Sequence, residues 1–304
     1  QLSLAVGFCG YIMALGGVWL NTIVLLLLSR VVIGFSSGNM SIVQAAIADL
    51  SSPEEKTKNF GLYSMALGVG FTLGPFFGGM LSSWGYSFPF LFAALIVALN
   101  FGFAIVLFKE THHLIFERKL NWSIGISHLK KAVRFKGLRT ILLCSFLHNF
   151  GWSYFFEFTP VYLISHYQFT PPQLGLFFGA AGGFYALSTG LLIRPFVHRF
   201  KPEALFFGGN FFAAFAILAL LIIPSLHWIW PVTFLICYCV AFVTPSSTTL
   251  VSNGAEAKTQ GESLGILSSV NAAALVLSPL FSGSLVGAHP TLPMWVGGSI
   301  IFVA

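Results

Sequence analysis

Apolar residues run along this chain in blocks of about 20, the length of a helix that crosses a bilayer. The blocks fall at 2–19, 21–48, 60–82, 88–108, 139–165, 173–193, 204–223, 228–251, 262–286 and 293–304. Inside each block the apolar positions are continuous, not alternating, which predicts helices and excludes a transmembrane barrel. A helix that is apolar all round has no solvated face and reads as a membrane span. Nine blocks are full spans and the last is cut short. The chain opens on Gln1 and closes at Ala304 inside apolar runs, as a piece of a longer chain would.

One longer polar connection, 109–138, interrupts the series. Within it Ile126, Leu129 and Val133 share a helical face beside Lys130, Lys131 and Arg134. That pattern fits a helix lying in the membrane surface or a solvated linker.

Composition agrees. Of 304 residues, 56% are apolar and 8% charged, against about 25% charged in soluble domains. So little charge cannot cover a soluble surface, and so much apolar side chain excludes disorder. The fold class is all-α integral membrane. The formal charge of +6 reports orientation, not nucleic-acid binding. Every Lys and Arg except Arg30 lies in or beside alternate connections, at 49–59, 109–138, 194–203 and 252–261. The positive-inside rule makes that set cytoplasmic. Trp19, Trp84, Trp228, Trp230 and Trp295 cluster by the uncharged set and fit an outer aromatic belt. Cys9, Cys144, Cys237 and Cys239 sit in apolar runs and read as small reduced hydrophobes.

The chain repeats itself. Residues 61–81 and 265–285 align at a constant offset of 204, with Gly61/Gly265, Ser64/Ser268, Leu73/Leu277, Pro75/Pro279, Phe77/Phe281, Gly79/Gly283 and Leu81/Leu285 identical. Two related halves around a basic connection suggest a secondary transporter with a midplane site between them.

Two motifs sharpen this. Gly70-x-x-x-Gly74-Pro75-x-x-Gly78-Gly79 would let a facing helix approach closely. Arg30-x-x-x-Gly34-x-x-x-Gly38 puts a guanidinium inside a span, which is costly unless it faces water or a partner. The repeat places Phe234 opposite Arg30, so the scaffold itself does not require an arginine there.

With these motifs the chain resembles the major facilitator superfamily, in particular its drug–proton antiporters of the tetracycline and multidrug efflux type. The resemblance implies two pseudo-symmetric six-helix bundles, with about ten of the twelve helices present and the first two missing. It divides the chain into an N-terminal bundle (1–108), a cytoplasmic linker (109–138) and a C-terminal bundle (139–304). It makes the glycine-rich stretch the antiporter motif, at the outer contact between the halves, and gives Arg30 a part in proton coupling. It makes Asp49 a gating residue that pairs with the missing signature loop. The second-half copy of that loop is degenerate, with Arg194 in the usual acidic position and His198 and Arg199 in the basic ones. It places cavity candidates at Asn39, Gln44, Asn149, Trp152, Tyr185, Thr248 and Asn271.

Glu157 is the carboxylate well inside a span, and Asn149, Ser153 and Glu157 form one stripe at i, i+4, i+8. Glu157 either carries a proton or anchors a hydrogen-bond network. His148, one position off the stripe, reads as a buried neutral imidazole.

The function expected is proton-coupled efflux of a small lipophilic or drug-like compound by alternating access. A proton-coupled importer of an amino acid, sugar or iron chelate is the alternative. Tetracycline exporters carry acids in their third and ninth helices; 2–19 and 204–223 hold none, which counts against tetracycline. No H-E-x-x-H, nucleophile elbow or P-loop is present, so an enzyme is not expected. Neither a cofactor nor a metal is expected, and His112-His113 have poor spacing for one. The expected partners are a small-molecule substrate, protons and the lipid bilayer, with no nucleic acid. The expected working form is a monomer in a bacterial inner membrane.

Overall fold

The computed structural model describes residues 2–36, 56–107, 137–197, 199–222, 225–255 and 260–304, with positions 43, 46, 47, 50, 127 and 131 between them. For 56–65, 260 and 261 only the backbone is described.

Eleven α-helices, and no strand, occur among the described residues. They are α1 (Leu2–Trp19), α2 (Ile23–Ser36), α3 (Lys56–Ser82), α4 (Ser87–Leu107), α5 (Arg139–Tyr167), α6 (Pro171–Leu187), α7 (Arg194–Val197), α8 (Pro202–Ile222), α9 (Ile229–Gly254), α10 (Gln260–Ala288) and α11 (Leu292–Val303). A π-helical turn, Ser188–Leu192, extends α6. Each long helix coincides with an apolar block. Six segments have the length and apolarity to cross a membrane: Leu2–Trp19, Ser87–Leu107, Pro171–Leu192, Pro202–Ile222, Leu226–Gly254 and Glu262–Ala288. Ile23–Ser36, Ala66–Ser82 and Leu292–Val303 are shorter apolar helices. α5 has the length, at 29 residues, but a more polar sequence, because His148, Asn149, Ser153 and Glu157 lie along it.

Tight turns join the spans. Gly85 adopts φ 134° between α3 and α4, a backbone conformation that side chains disfavour. Gln168 closes α5 in a left-handed cap at φ 57°, its N–H donating to Ile164 O at 3.0 Å. α6 then starts on Pro171, which has no N–H to leave unpaired.

The chain forms two compact units. Unit 1 is Gln1–Arg118 with Pro171–Gly179; unit 2 is Lys119–Thr170 with Ala180–Ala304. In unit 1, α1 packs against α2 and α4, and α3 against α4. In unit 2, α8 packs against α9 and α11, and α10 against α11, while α5 packs against both α10 and α11. Three contacts of unit 1, α1–α2, α1–α4 and α3–α4, are thus repeated in unit 2 by α8–α9, α8–α11 and α10–α11. α3 and α10 begin 204 residues apart and each contains a proline, Pro75 and Pro279. The repeat in the amino-acid pattern is also a repeat of packing.

Glycines set the closest approaches in unit 2. A Cβ at Gly151 of α5 would meet Gly297 O of α11 at 2.7 Å, and one at Gly297 would meet Gly151 O at 2.7 Å. Backbone contact of this kind replaces side-chain packing where lipid supplies no hydrophobic drive.

Candidate functional site

The polar stripe on α5 resolves into two parts. At one end Asn149 Nδ2 donates to Ser145 O at 2.8 Å and to Asn271 Oδ1 of α10 at 3.1 Å. At the other, Ser153 Oγ donates to Glu157 Oε1 at 2.7 Å. Ser153 is buried and Glu157 exposed. The hydroxyl thus holds one carboxylate oxygen against its own helix and leaves the other open. Eight residues of helix put Asn149 and Glu157 about 12 Å apart along the axis. Among the described residues Glu157 makes no ion pair; the salt bridge found there joins Lys131 to Glu262.

His148 faces another way. Its Nδ1 lies 2.6 Å from Asn210 Oδ1 of α8, and both residues are buried, at 4% and 2% exposure. Asn210 Nδ2 donates to Phe206 O at 3.1 Å, which turns Oδ1 toward the imidazole. The network therefore assigns the proton to Nδ1, and His148 is the donor. Adjacent residues of α5 bond to different helices, His148 to α8 and Asn149 to α10.

Aromatic rings surround the stripe. Trp152 lies 5.3 Å from Phe155 and 6.3 Å from Phe156, centroid to centroid. Phe150 touches Phe146, Tyr154 and, on α10, Phe281. Tyr185 packs against an apolar cluster of Ile193, Leu205, Ala241 and Phe242. Thr248 is exposed and donates to Thr244 O of its own helix at 3.0 Å.

In unit 1, Arg30 is exposed on α2 with its guanidinium 5.6 Å from the centre of the Phe90 ring on α4. A cation over an aromatic face is attracted by the ring quadrupole. Asp49, Asn39 and Gln44 lie outside the described residues.

The glycine-rich stretch of α3 separates by role. A Cβ at Gly70, Gly74 or Gly78 would meet nothing within 4 Å. At Gly79 it would run into the backbone of Gly175 on α6. Reciprocally, a Cβ at Gly175 would lie 2.5 Å from Gly79 Cα and 2.7 Å from Pro75 O, and one at Gly179 would lie 3.2 Å from Thr72 O. Gly79 of α3 and Gly175 and Gly179 of α6 form one seam inside unit 1, with Gly79 and Gly175 at its tightest point.

The chain matches the family described as Major Facilitator Superfamily over residues 2–279. The chain belongs to the major facilitator superfamily. Its members are membrane carriers, and this chain is a multi-pass membrane transporter of a small molecule. Among curated relatives, the quinolone resistance protein NorA of Staphylococcus aureus is 28% identical over 277 residues, 89% of this chain and 69% of that protein. The class D tetracycline resistance protein of Salmonella ordonez is 24% identical over 290 residues, 93% of this chain and 72% of that protein. The crystal structure of the human organic anion transporter MFSD10 (TETRAN) has the same fold, with a TM-score of 0.73 and 23% identity over 99% of this chain and 74% of that one.

Three features carried no sequence signal that singled them out. Asn210 is one amide in an apolar helix. Gly151 and Gly297 lie in different helices without a motif. Lys131 and Glu262 pair across 131 positions of sequence.

Proposed function

We propose that this transporter exports a small lipophilic or drug-like compound in exchange for protons, by alternating access. The carrying observation is its similarity to two drug-resistance proteins over most of its length. The phenylalanine-rich spans support a lipophilic substrate, and the scarcity of charge in them argues against a polar nutrient. Glu157 is the proton carrier in this reading. Its carboxylate is exposed and free of a cation among the described residues, with one oxygen held by Ser153. Arg30, with its aromatic partner Phe90, assists coupling. Gly70, Gly74, Pro75, Gly78, Gly79 and Asp49 serve gating. Asn39, Gln44, Asn149, Trp152, Tyr185, Thr248 and Asn271 are assigned to the substrate cavity. The protein works as a monomer in a bacterial inner membrane, with its basic connections on the cytoplasmic side.

Inverted vesicles from cells expressing the full gene test this reading. With an acid interior, adding a quinolone or lipophilic cation should discharge the pH gradient, while amino acids and sugars should not. Glu157→Gln should abolish the discharge and leave drug binding within a few-fold, because the change removes the carboxylate but keeps an oxygen to accept from Ser153. Proton flux driven by nutrients, and none by drugs, would replace export with import.

A further inference from the structure

We infer that unit 2 carries a binding site for one anionic glycerophospholipid, seated in an aromatic groove between α8, α9 and the basic segment that precedes α8. The inference is independent of the transport direction and of the compound carried.

The groove has a volume of about 260 Å³, with Phe196, Phe200, Gly208, Gly209, Phe212 and Tyr238 among its walls. Its lining is almost wholly apolar. Phe212 also belongs to the exposed face of α8, with Phe207, Phe211 and Phe215. In a helix that spans a bilayer such a face meets acyl chains. The hydrocarbon around the protein therefore supplies the occupant of the groove.

Two adjacent glycines build it for different reasons. Gly209 is required by helix packing, since a Cβ there would lie 2.9 Å from Cys239 O and 3.0 Å from Val243 Cγ2. Gly208 has no such reason, because a Cβ there would meet nothing within 4 Å. Glycine in a helix interior is less favourable than alanine. What its missing side chain leaves is space in the groove.

Exposed charge next in sequence to the groove's aromatic walls selects the headgroup. Arg199 and Lys201 flank Phe200, and Arg194 lies two residues before Phe196. All three cations are exposed, and none makes an ion pair among the described residues. Glu203 is the acid in this stretch, leaving an excess of positive charge. Long basic side chains at a span end reach the headgroup layer while their stems stay on apolar surface. Apolar walls beside an exposed basic segment match an acyl chain joined to a phosphate.

The test uses the full protein, purified and stripped of lipid, with native mass spectrometry after adding phosphatidylglycerol, phosphatidylcholine or inorganic phosphate. One phosphatidylglycerol should bind in preference to phosphatidylcholine, on the order of tenfold. Gly208→Leu fills open space, so it should keep the melting temperature and weaken binding of both lipids by about fivefold or more. The double change Arg199→Gln with Lys201→Gln alters exposed positions and should bring phosphatidylglycerol down to the level of phosphatidylcholine. Equal binding of the two lipids by the unaltered protein would overturn the inference. So would undiminished binding by Gly208→Leu, or displacement of phosphatidylglycerol by inorganic phosphate alone.

Discussion

On α5, neighbouring side chains have separate duties. His148 ties the helix to α8, Asn149 ties it to α10, and Ser153 holds one oxygen of Glu157. His148→Leu keeps the bulk but strips Asn210 of its donor at a buried position. Its expected cost is about 1 kcal/mol, near the size of interhelical hydrogen bonds in membranes. A thermal melt in detergent measures it, and Asn210→Leu added to His148→Leu should cost less than the two separate changes combined, because the partners act together. Burial of His148 and the Asn149-Ser153-Glu157 stripe were legible in the sequence, since both follow from helical spacing alone. Asn210 was not, because a bond across 62 positions leaves no periodic trace. The split of the stripe into an amide pair and a hydroxyl-held carboxylate also depended on where α10 lies. Tyr185 shows a further limit of a polar inventory: its ring packs on an apolar cluster, a placement that composition could not give.

At the scale of the helix, glycine spacing is a one-dimensional signal for a three-dimensional seam. Gly70, Gly74, Gly78 and Gly79 look alike in sequence, yet of these four only Gly79 lies where an added Cβ meets a neighbour. Gly175 and Gly179 lie in a different helix, one turn apart, yet both meet α3. Gly79→Val should destabilise the protein by about 1–3 kcal/mol, the cost of forcing atoms into a full interface. Gly70→Ala should fall within about 0.5 kcal/mol of the unaltered protein, as surface changes usually do. Melting temperatures of the two variants in one detergent decide it. Equal losses would mean that the seam does not hold α3 and α6 together. Most helix positions, in contrast, were read to within a few residues, because a span must be apolar over a fixed length, although the block 21–48 runs past Ser36 into residues outside the described ones. α5 departs from that rule where it carries chemistry.

Across the whole chain, the packing order inside each unit says more than the identities that first revealed the repeat. Few residues match at the offset of 204, but the α1–α2, α1–α4 and α3–α4 contacts recur as α8–α9, α8–α11 and α10–α11. Duplicated halves keep the constraints of backbone packing and shed those of side-chain identity, so Arg30 can stand opposite Phe234. The same duplication predicts sidedness. Successive connections alternate across the bilayer, and nearly all basic charge falls in one set. Lys201 and His227 lie at opposite ends of α8, one before Pro202 and the other after Ile222. With the four native cysteines replaced by alanine, Lys201→Cys and His227→Cys should therefore react from opposite sides. A membrane-impermeant maleimide added to intact cells should label the His227→Cys protein and spare the Lys201→Cys protein. Inverted vesicles should give the reverse. Labelling of both from one side would mean that α8 does not cross the membrane. Labelling in the opposite sense would turn the transporter over, and the discharge assay would then have to be read with its vesicles right side out.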